Sequence, residues 1–239
     1  MDIISHTTLI AMALIFIGSF VQTAIGFGLA VVASPLLFFI SPDYVPTPIT
    51  LIALLISLWS AVKLRANVSL GKLKNAVIWR IPGSIVGGFL LVWVSTEQLA
   101  LWLGILVLFA VAVSLLPFRI EPTPARMGIA GFFSGFFGTS SAIGGPPMAL
   151  LLQHQEANQL RGNLAAFFVF SSLISLVVQF AVGHAHWHHF QLALPLIPAA
   201  WAGYKLAGVT TQHISKRKLR VFTLILCLAS GITAIYKSF

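Results

Sequence analysis

The apolar positions of this chain come in long runs rather than in the alternating or three-to-four spacing of half-buried elements. The runs are Ile3 to Ile40, Val45 to Val62, Ala76 to Val94, Leu99 to Pro117, Gly128 to Leu152, Leu164 to Val182, Phe190 to Ala207 and Leu219 to Tyr236. A helix needs about 20 apolar residues to cross a bilayer. Six of the runs have that length and predict single spanning helices. The first and fifth differ, because glycine and small polar residues interrupt them: Gly26 to Gly28 in one, Gly138 to Pro147 in the other.

The two interruptions mark an internal repeat. A shift of 112 residues places Gly26 on Gly138 and Pro35 on Pro147; after a small gap, Ile81-Pro82 falls on Ile197-Pro198 and Gly87 on Gly203. Each half, residues 1–120 and 121–239, therefore reads as a broken segment followed by three clean helices. Repeats of this kind are a common construction of secondary transporters.

Composition narrows the class further. Hydrophobic residues make up 58% of the 239 and charged residues 8%, against about 25% charged in an ordinary soluble domain. Lipid must therefore replace water over most of the surface, and the fold class is an all-α polytopic membrane bundle. The net charge of +9 does not indicate nucleic-acid binding, because the basic residues sit in short loops between apolar runs. Met1-Asp2-Ile3-Ile4 lacks a basic leader region and reads as the start of a retained segment. Cys227 is the single cysteine, which excludes an internal disulfide or thiolate pair and reads as a small apolar residue of the last helix.

The basic residues set orientation, since they concentrate in cytoplasmic loops. Lys63, Arg65, Lys72, Lys74 and Arg80 form one cluster, Arg119 and Arg126 a second, and Lys205, Lys216, Arg217, Lys218 and Arg220 a third. Placing all three inside also puts Arg161 inside and the turn His184 to His189 outside. Thirteen of the fourteen Lys and Arg then face the cytoplasm, all but Lys237. Equivalent loops of the two halves fall on opposite sides, so the repeats are expected to have inverted topology. The fifth run must begin and end inside, as a re-entrant pair of half-helices. The longer first run accommodates either a re-entrant pair or a full span with a shorter return.

Broken helices at membrane depth must face protein or a cavity. Half-helix N-termini carry unpaired N–H groups and partial positive charge, which favour anions. Around the second break stand Thr139, Ser140 and Ser141 as hydroxyl donors, with Gly138, Gly144 and Gly145 allowing close approach and Pro146-Pro147 suited to a first helical turn. Around the first stand Gln22, Thr23, Gly26, Gly28, Ser34 and Pro35. The two sets are expected to converge on one substrate site, although glycine and serine also serve helix packing in membranes. All five acids lie near segment ends: Asp2, Asp43, Glu97, Glu121 and Glu156. A cation carrier usually keeps a carboxylate at depth, so the substrate is expected to be anionic or neutral. Arg80 and Arg161 read as snorkelling anchors near cytoplasmic helix ends, with attraction of anions at the vestibule as the other role. Asn163, near the same mouth, joins the candidates. The four histidines His184, His186, His188 and His189 read as a surface turn without fixed metal. No hydrolase, zinc-protease or P-loop pattern occurs, so neither an enzyme nor a cofactor is expected.

The segments Gly26 to Pro35 and Phe133 to Leu152 (FSGFFGTSSAIGGPPMALLL), with Ile81 to Gly88 and its echo at Ile197 to Gly203, resemble the paired signatures of the TauE/SafE family of sulfite exporters. The usual family pattern has a more glycine-rich first break; here Phe27 and Leu29 interrupt it. The resemblance implies an inner-membrane carrier of sulfite or a related organosulfur anion, with Gly26, Gly28, Pro35, Gly138, Gly144, Gly145 and Pro147 as signature positions. The expected partners are a small anion and the lipid bilayer, with homo-oligomerisation left open. A passive anion channel and a histidine-dependent metal-handling protein are the alternatives.

Overall fold

The structure, a computed structural model, describes residues 6–115 and 120–211 and individual helical positions between 221 and 236. Arg119, the cluster Lys216 to Arg220, Cys227, Lys237 and half of the final apolar run lie outside the described residues.

Ten α-helices follow one another among the described residues: α1 (His6–Ile25), α2 (Leu29–Ile40), α3 (Thr47–Lys63), α4 (Leu70–Trp93), α5 (Thr96–Leu115), α6 (Pro124–Ser141), α7 (Gly145–Leu152), α8 (Ala157–Ala181), α9 (Trp187–Ala193) and α10 (Ile197–Thr210). Five segments are long and apolar enough to cross a membrane: His6–Ile25, Pro42–Lys63, Leu70–Trp93, Ala157–Ala181 and Trp187–Thr210. The protein is a multi-pass membrane helix bundle. Large apolar side chains such as Phe89, Trp93, Val177 and Val209 remain exposed on its outside, which only lipid tolerates over such an area.

Both expected breaks are present. The first run divides into the full-length α1 and the shorter α2, and the fifth into α6 and the two-turn α7. Several helices begin earlier than their apolar runs. α4 starts at Leu70, six residues before Ala76, and α8 at Ala157 rather than Leu164. A helix continues into polar residues at its wet end, so hydropathy marks the lipid-crossing part and not the helix itself.

Two ends of the bundle can be told apart. Asp43, Thr96, His184 and His189 border a cavity at one end. Lys63, Arg161, Gly208 and Thr211 border another at the opposite end. The open ends of α1 and α2 lie at the histidine end, where Thr8 hydrogen-bonds Tyr44. Those of α6 and α7 lie at the basic end, where Asn75 donates to the Pro124 carbonyl and Asn163 to Gln155.

Packing exchanges partners between the halves: α4 lies chiefly on α6, and α1 on α10. Small residues make the first contact close. A Cβ at Gly83 would come within 2.0 Å of the Phe132 carbonyl oxygen, and one at Gly131 within 2.1 Å of the Ala76 carbonyl oxygen. Backbones can approach so closely only without side chains, and dispersion then acts over a long seam. Gly203 makes the matching approach to the Phe16 carbonyl, at 2.4 Å.

Candidate functional site

The breaks are built alike. α1 closes with the Gly26 N–H donating to the Gln22 carbonyl at 2.7 Å, and α6 with the Ala142 N–H donating to the Gly138 carbonyl at 3.0 Å. Both following residues are left-handed, Gly26 at φ 105° and Ala142 at φ 65°. This pairing requires a shift of 116, the same shift that aligns Ile81-Pro82 with Ile197-Pro198, and corrects the 112-residue register at the breaks. Matching glycine to glycine misled the alignment, because the second break carries alanine in the left-handed position. Pro35 consequently sits inside α2 and has no proline counterpart, while Pro146 and Pro147 occupy the first turn of α7.

The two breaks border one small chamber of about 40 Å³. Gln22 and Gly28 reach it from the first break, and Gly138, Gly144 and Gly145 from the second. Its remaining polar lining comes from Thr50 on α3, Ser171, Ser172 and Ser175 on α8, and Arg80 on α4.

Arg80 corrects the expectation of a snorkelling anchor. Because α4 begins at Leu70, Arg80 lies roughly 15 Å along the helix, at 1.5 Å per residue. It is 1% exposed, the largest fully buried side chain described. Its Nη1 donates to Ser134 Oγ at 2.8 Å, Nη2 to Ser175 Oγ at 3.0 Å and Nε to the Ser171 carbonyl at 3.3 Å. The guanidinium also lies 5.6 Å from the Phe167 ring centroid. Three of its five donors thus have neutral partners, and among the described residues no carboxylate pairs with it. Gly138 makes room for it: a Cβ there would stand 2.5 Å from Nη2. Ser134 in turn donates to the Gly144 carbonyl, tying the arginine to the second break.

A larger cavity of about 370 Å³ opens at the basic end, bordered by Gln22, Thr23, Gly26 and Arg161 among others. Gln22 lines both cavities and donates to Ser57 Oγ at 3.3 Å, joining α1 to α3. A polar network adjoins the chamber through Ser175. Gln179 accepts from Thr47 Oγ1 at 3.1 Å and donates to the Thr139 carbonyl at 2.9 Å, and Thr139 and Ser175 share a hydrogen bond of 2.9 Å.

The other residues singled out from sequence border neither cavity. Ser140 donates to the Phe136 carbonyl at 2.8 Å and accepts from Trp102 Nε1 at 3.2 Å, so it fastens α6 to α5. Ser141 donates to the Phe137 carbonyl, and Ser34 to the Ser141 carbonyl at 3.2 Å. Asn163 accepts from the Ser69 N–H at 2.7 Å and holds the α3–α4 turn. Sequence reasoning missed Arg80 as an interior residue, and with it Ser134, Ser171 and Ser175. The available signal was the position of Arg80 directly before the repeated Ile-Pro step, within a helix long enough to bury it.

At the histidine end, His188 approaches Asp43 at 3.9 Å, and His184 and His186 stack on His189 at 5.7 and 5.9 Å. Burial, with His189 beside it, holds His184 below the usual imidazole value. No group of three metal-ligating side chains occurs among the described residues.

Comparison with known proteins agrees with this architecture. A relative from Bacillus subtilis (strain 168), named "Probable membrane transporter protein YunE", is 24% identical over 185 residues, covering 65% of this chain and 66% of its own length. One from Comamonas testosteroni, named "Probable inner membrane transporter protein TsaS", is 26% identical over 176 residues, covering 66% and 72%. No solved structure matches the chain significantly. The family model described as sulfite exporter TauE/SafE matches residues 10–234. With that match over nearly its whole length, the chain belongs to the TauE/SafE family and is a membrane transporter.

Proposed function

We propose that this transporter is a secondary carrier, acting as an exporter, of a small oxyanion of the sulfite or organosulfur class. The observation that carries the reading is Arg80: a buried guanidinium with no carboxylate partner among the described residues, at the junction of two helix breaks. An isolated charge at bilayer depth is costly, about 2.5–3.5 kcal/mol even on the mildest scales. A bound anion offsets that cost, and a guanidinium matches the geometry of an oxyanion. The chamber's hydroxyl lining supplies further donors, while the position of all five acids near segment ends disfavours cations. The names of the family and the resemblance of both signature segments support sulfur-containing substrates.

The two halves act as inverted repeats. The α1–α2 pair opens to the histidine end and the α6–α7 pair to the basic end. Alternating access then consists of one repeat moving about the chamber against the other. The positive-inside rule makes the basic end cytoplasmic. The larger of the two end cavities, about 370 against 250 Å³, lies at that end, which supports an inward-facing state.

The test is transport by purified protein in liposomes against sulfite, thiosulfate, sulfonates and sulfate. Saturable sulfite transport with counterflow is expected, and its loss in Arg80→Gln with retention in part by Arg80→Lys. Wild-type transport by Arg80→Gln would overturn the chamber reading, and non-saturable flux without counterflow would make the protein a channel.

A further inference from the structure

The vestibule at the basic end is built for more than passage. Lys63 from the last turn of α3 and Arg161 from the second turn of α8 both line it, and among the described residues no Asp or Glu does. Arg161 donates from Nη2 to Asn158 Oδ1 at 2.6 Å and from Nε to the Ala157 carbonyl at 3.3 Å. Both partners belong to its own helix, and among the described residues no carboxylate pairs with it, so the side chain is held in place without being neutralised. Gly26 brings the first break against this residue: at φ 105° it is left-handed, and a Cβ there would lie 3.4 Å from the Arg161 Cα. Thr23, Ser57 and Ser60 add hydroxyls on the facing wall. The cavity ends at Gln22, whose other side belongs to the Arg80 chamber.

We infer that Lys63 and Arg161 form a second oxyanion subsite, in series with the chamber and separated from it by the Gln22–Ser57 hydrogen bond. The inference rests on the anion reading of the chamber. The two subsites divide the work. The vestibule is wide and wet, so its charges are screened and its hold is weak. It raises the local anion concentration at the mouth, as a cleft of one sign does. The chamber is narrow and dry and makes the selective contact. Binding strong enough to recruit and weak enough to release is what serial sites provide.

The same chemistry would also attract the phosphate of an anionic lipid, and the experiment separates the two sources. Sulfite transport is measured from each face in liposomes of phosphatidylcholine alone and in liposomes containing phosphatidylglycerol. The proteins are wild type, Lys63→Gln/Arg161→Gln and the same positions with Arg161→Lys. In phosphatidylcholine alone, the double variant is expected to raise KM from the basic face roughly tenfold, the lower end of electrostatic recruitment. The maximal rate and the KM from the histidine face stay near wild type, and Arg161→Lys recovers much of the loss. Unchanged KM from the basic face, or an equal rise from both faces, would overturn the subsite. A rise confined to phosphatidylglycerol liposomes would assign the cations to lipid and overturn it as well. The outcome is independent of the Arg80 test: sulfite binding to Arg80→Gln protein should persist at one weak site and disappear when Lys63 and Arg161 are also replaced.

Discussion

Arg80 and Arg161 are described by the same sequence statement, a basic residue near the start of an apolar run, yet they sit in opposite environments. Arg80 is 1% exposed and bonded to three serine residues contributed by α6 and α8. Arg161 is half-buried at a cavity mouth and, among the described residues, bonded only to its own helix. The difference comes from where each helix starts. Ten residues of α4 precede Arg80, whereas only four of α8 precede Arg161. A long side chain can reach water from the second position but not from the first. A charge that cannot snorkel needs partners, and here they are neutral hydroxyls and a carbonyl that leave its net charge unbalanced.

The comparison is tested most severely at Arg80. Loss of two charge-assisted hydrogen bonds to a bound anion, each about 1.5–3 kcal/mol, predicts that Arg80→Gln lowers sulfite transport by about 100-fold or more in liposomes. A smaller loss would place Arg80 with Arg161 as an aid to recruitment. Next comes Gly138→Ala, whose new Cβ would crowd Arg80 Nη2 at 2.5 Å. Displacing a positioned group by about an ångström costs between one and two decades, so transport should fall about tenfold in protein that still elutes as a folded species. Raising ionic strength separates the two arginines more gently. Screening acts on the exposed site, so the KM from the basic face should rise roughly two- to threefold between 0.05 and 0.5 M of an inert salt. An equal dependence from both faces would place the sensitivity elsewhere.

Ser140 gives a sharper contrast within the second break. Its hydroxyl is taken by Phe136 and Trp102 and does not border the chamber. Ser140→Ala should therefore keep transport within about twofold of wild type while costing about 1 kcal/mol of stability, seen as a lower Tm. A large transport loss at unchanged Tm would put the hydroxyl on the substrate after all. The smallest effect is expected at the histidine end. The folded state holds His184 below its ordinary pKa, so it binds a proton less readily than the unfolded chain. Stability then falls as pH drops below about 6.5. His184→Gln should flatten the Tm-versus-pH curve between about pH 7 and 5.5 by a degree or two, with transport at neutral pH little changed.

Much of the fold was legible because bilayer physics writes directly into sequence. Run length and low charge identify spanning helices, and glycine and hydroxyl residues within two runs located both breaks. The register between them was not legible, because the left-handed position is glycine in one half and Ala142 in the other. Of the residues expected around the breaks, Gln22, Gly28, Gly138, Gly144 and Gly145 border the chamber. Thr139, Ser140 and Ser141 were equally visible but are bonded into the packing between helices. Which way a hydroxyl turns on a helix depends on its rotational position against neighbours far away in sequence.

Sequence alone therefore determined that the chain crosses the membrane many times, where its helices break and that its acids lie near segment ends. These properties follow from local composition, since each segment must satisfy lipid on its own. Tertiary structure alone decided that Arg80 is interior, that Ser134, Ser171 and Ser175 hold it, and that Gln22 borders both a wide basic cavity and a narrow chamber. Those facts depend on the crossing of α4 with α6 and α8, where small residues let backbones approach. No single segment carries that geometry, because burial of a charge is a property of what surrounds it.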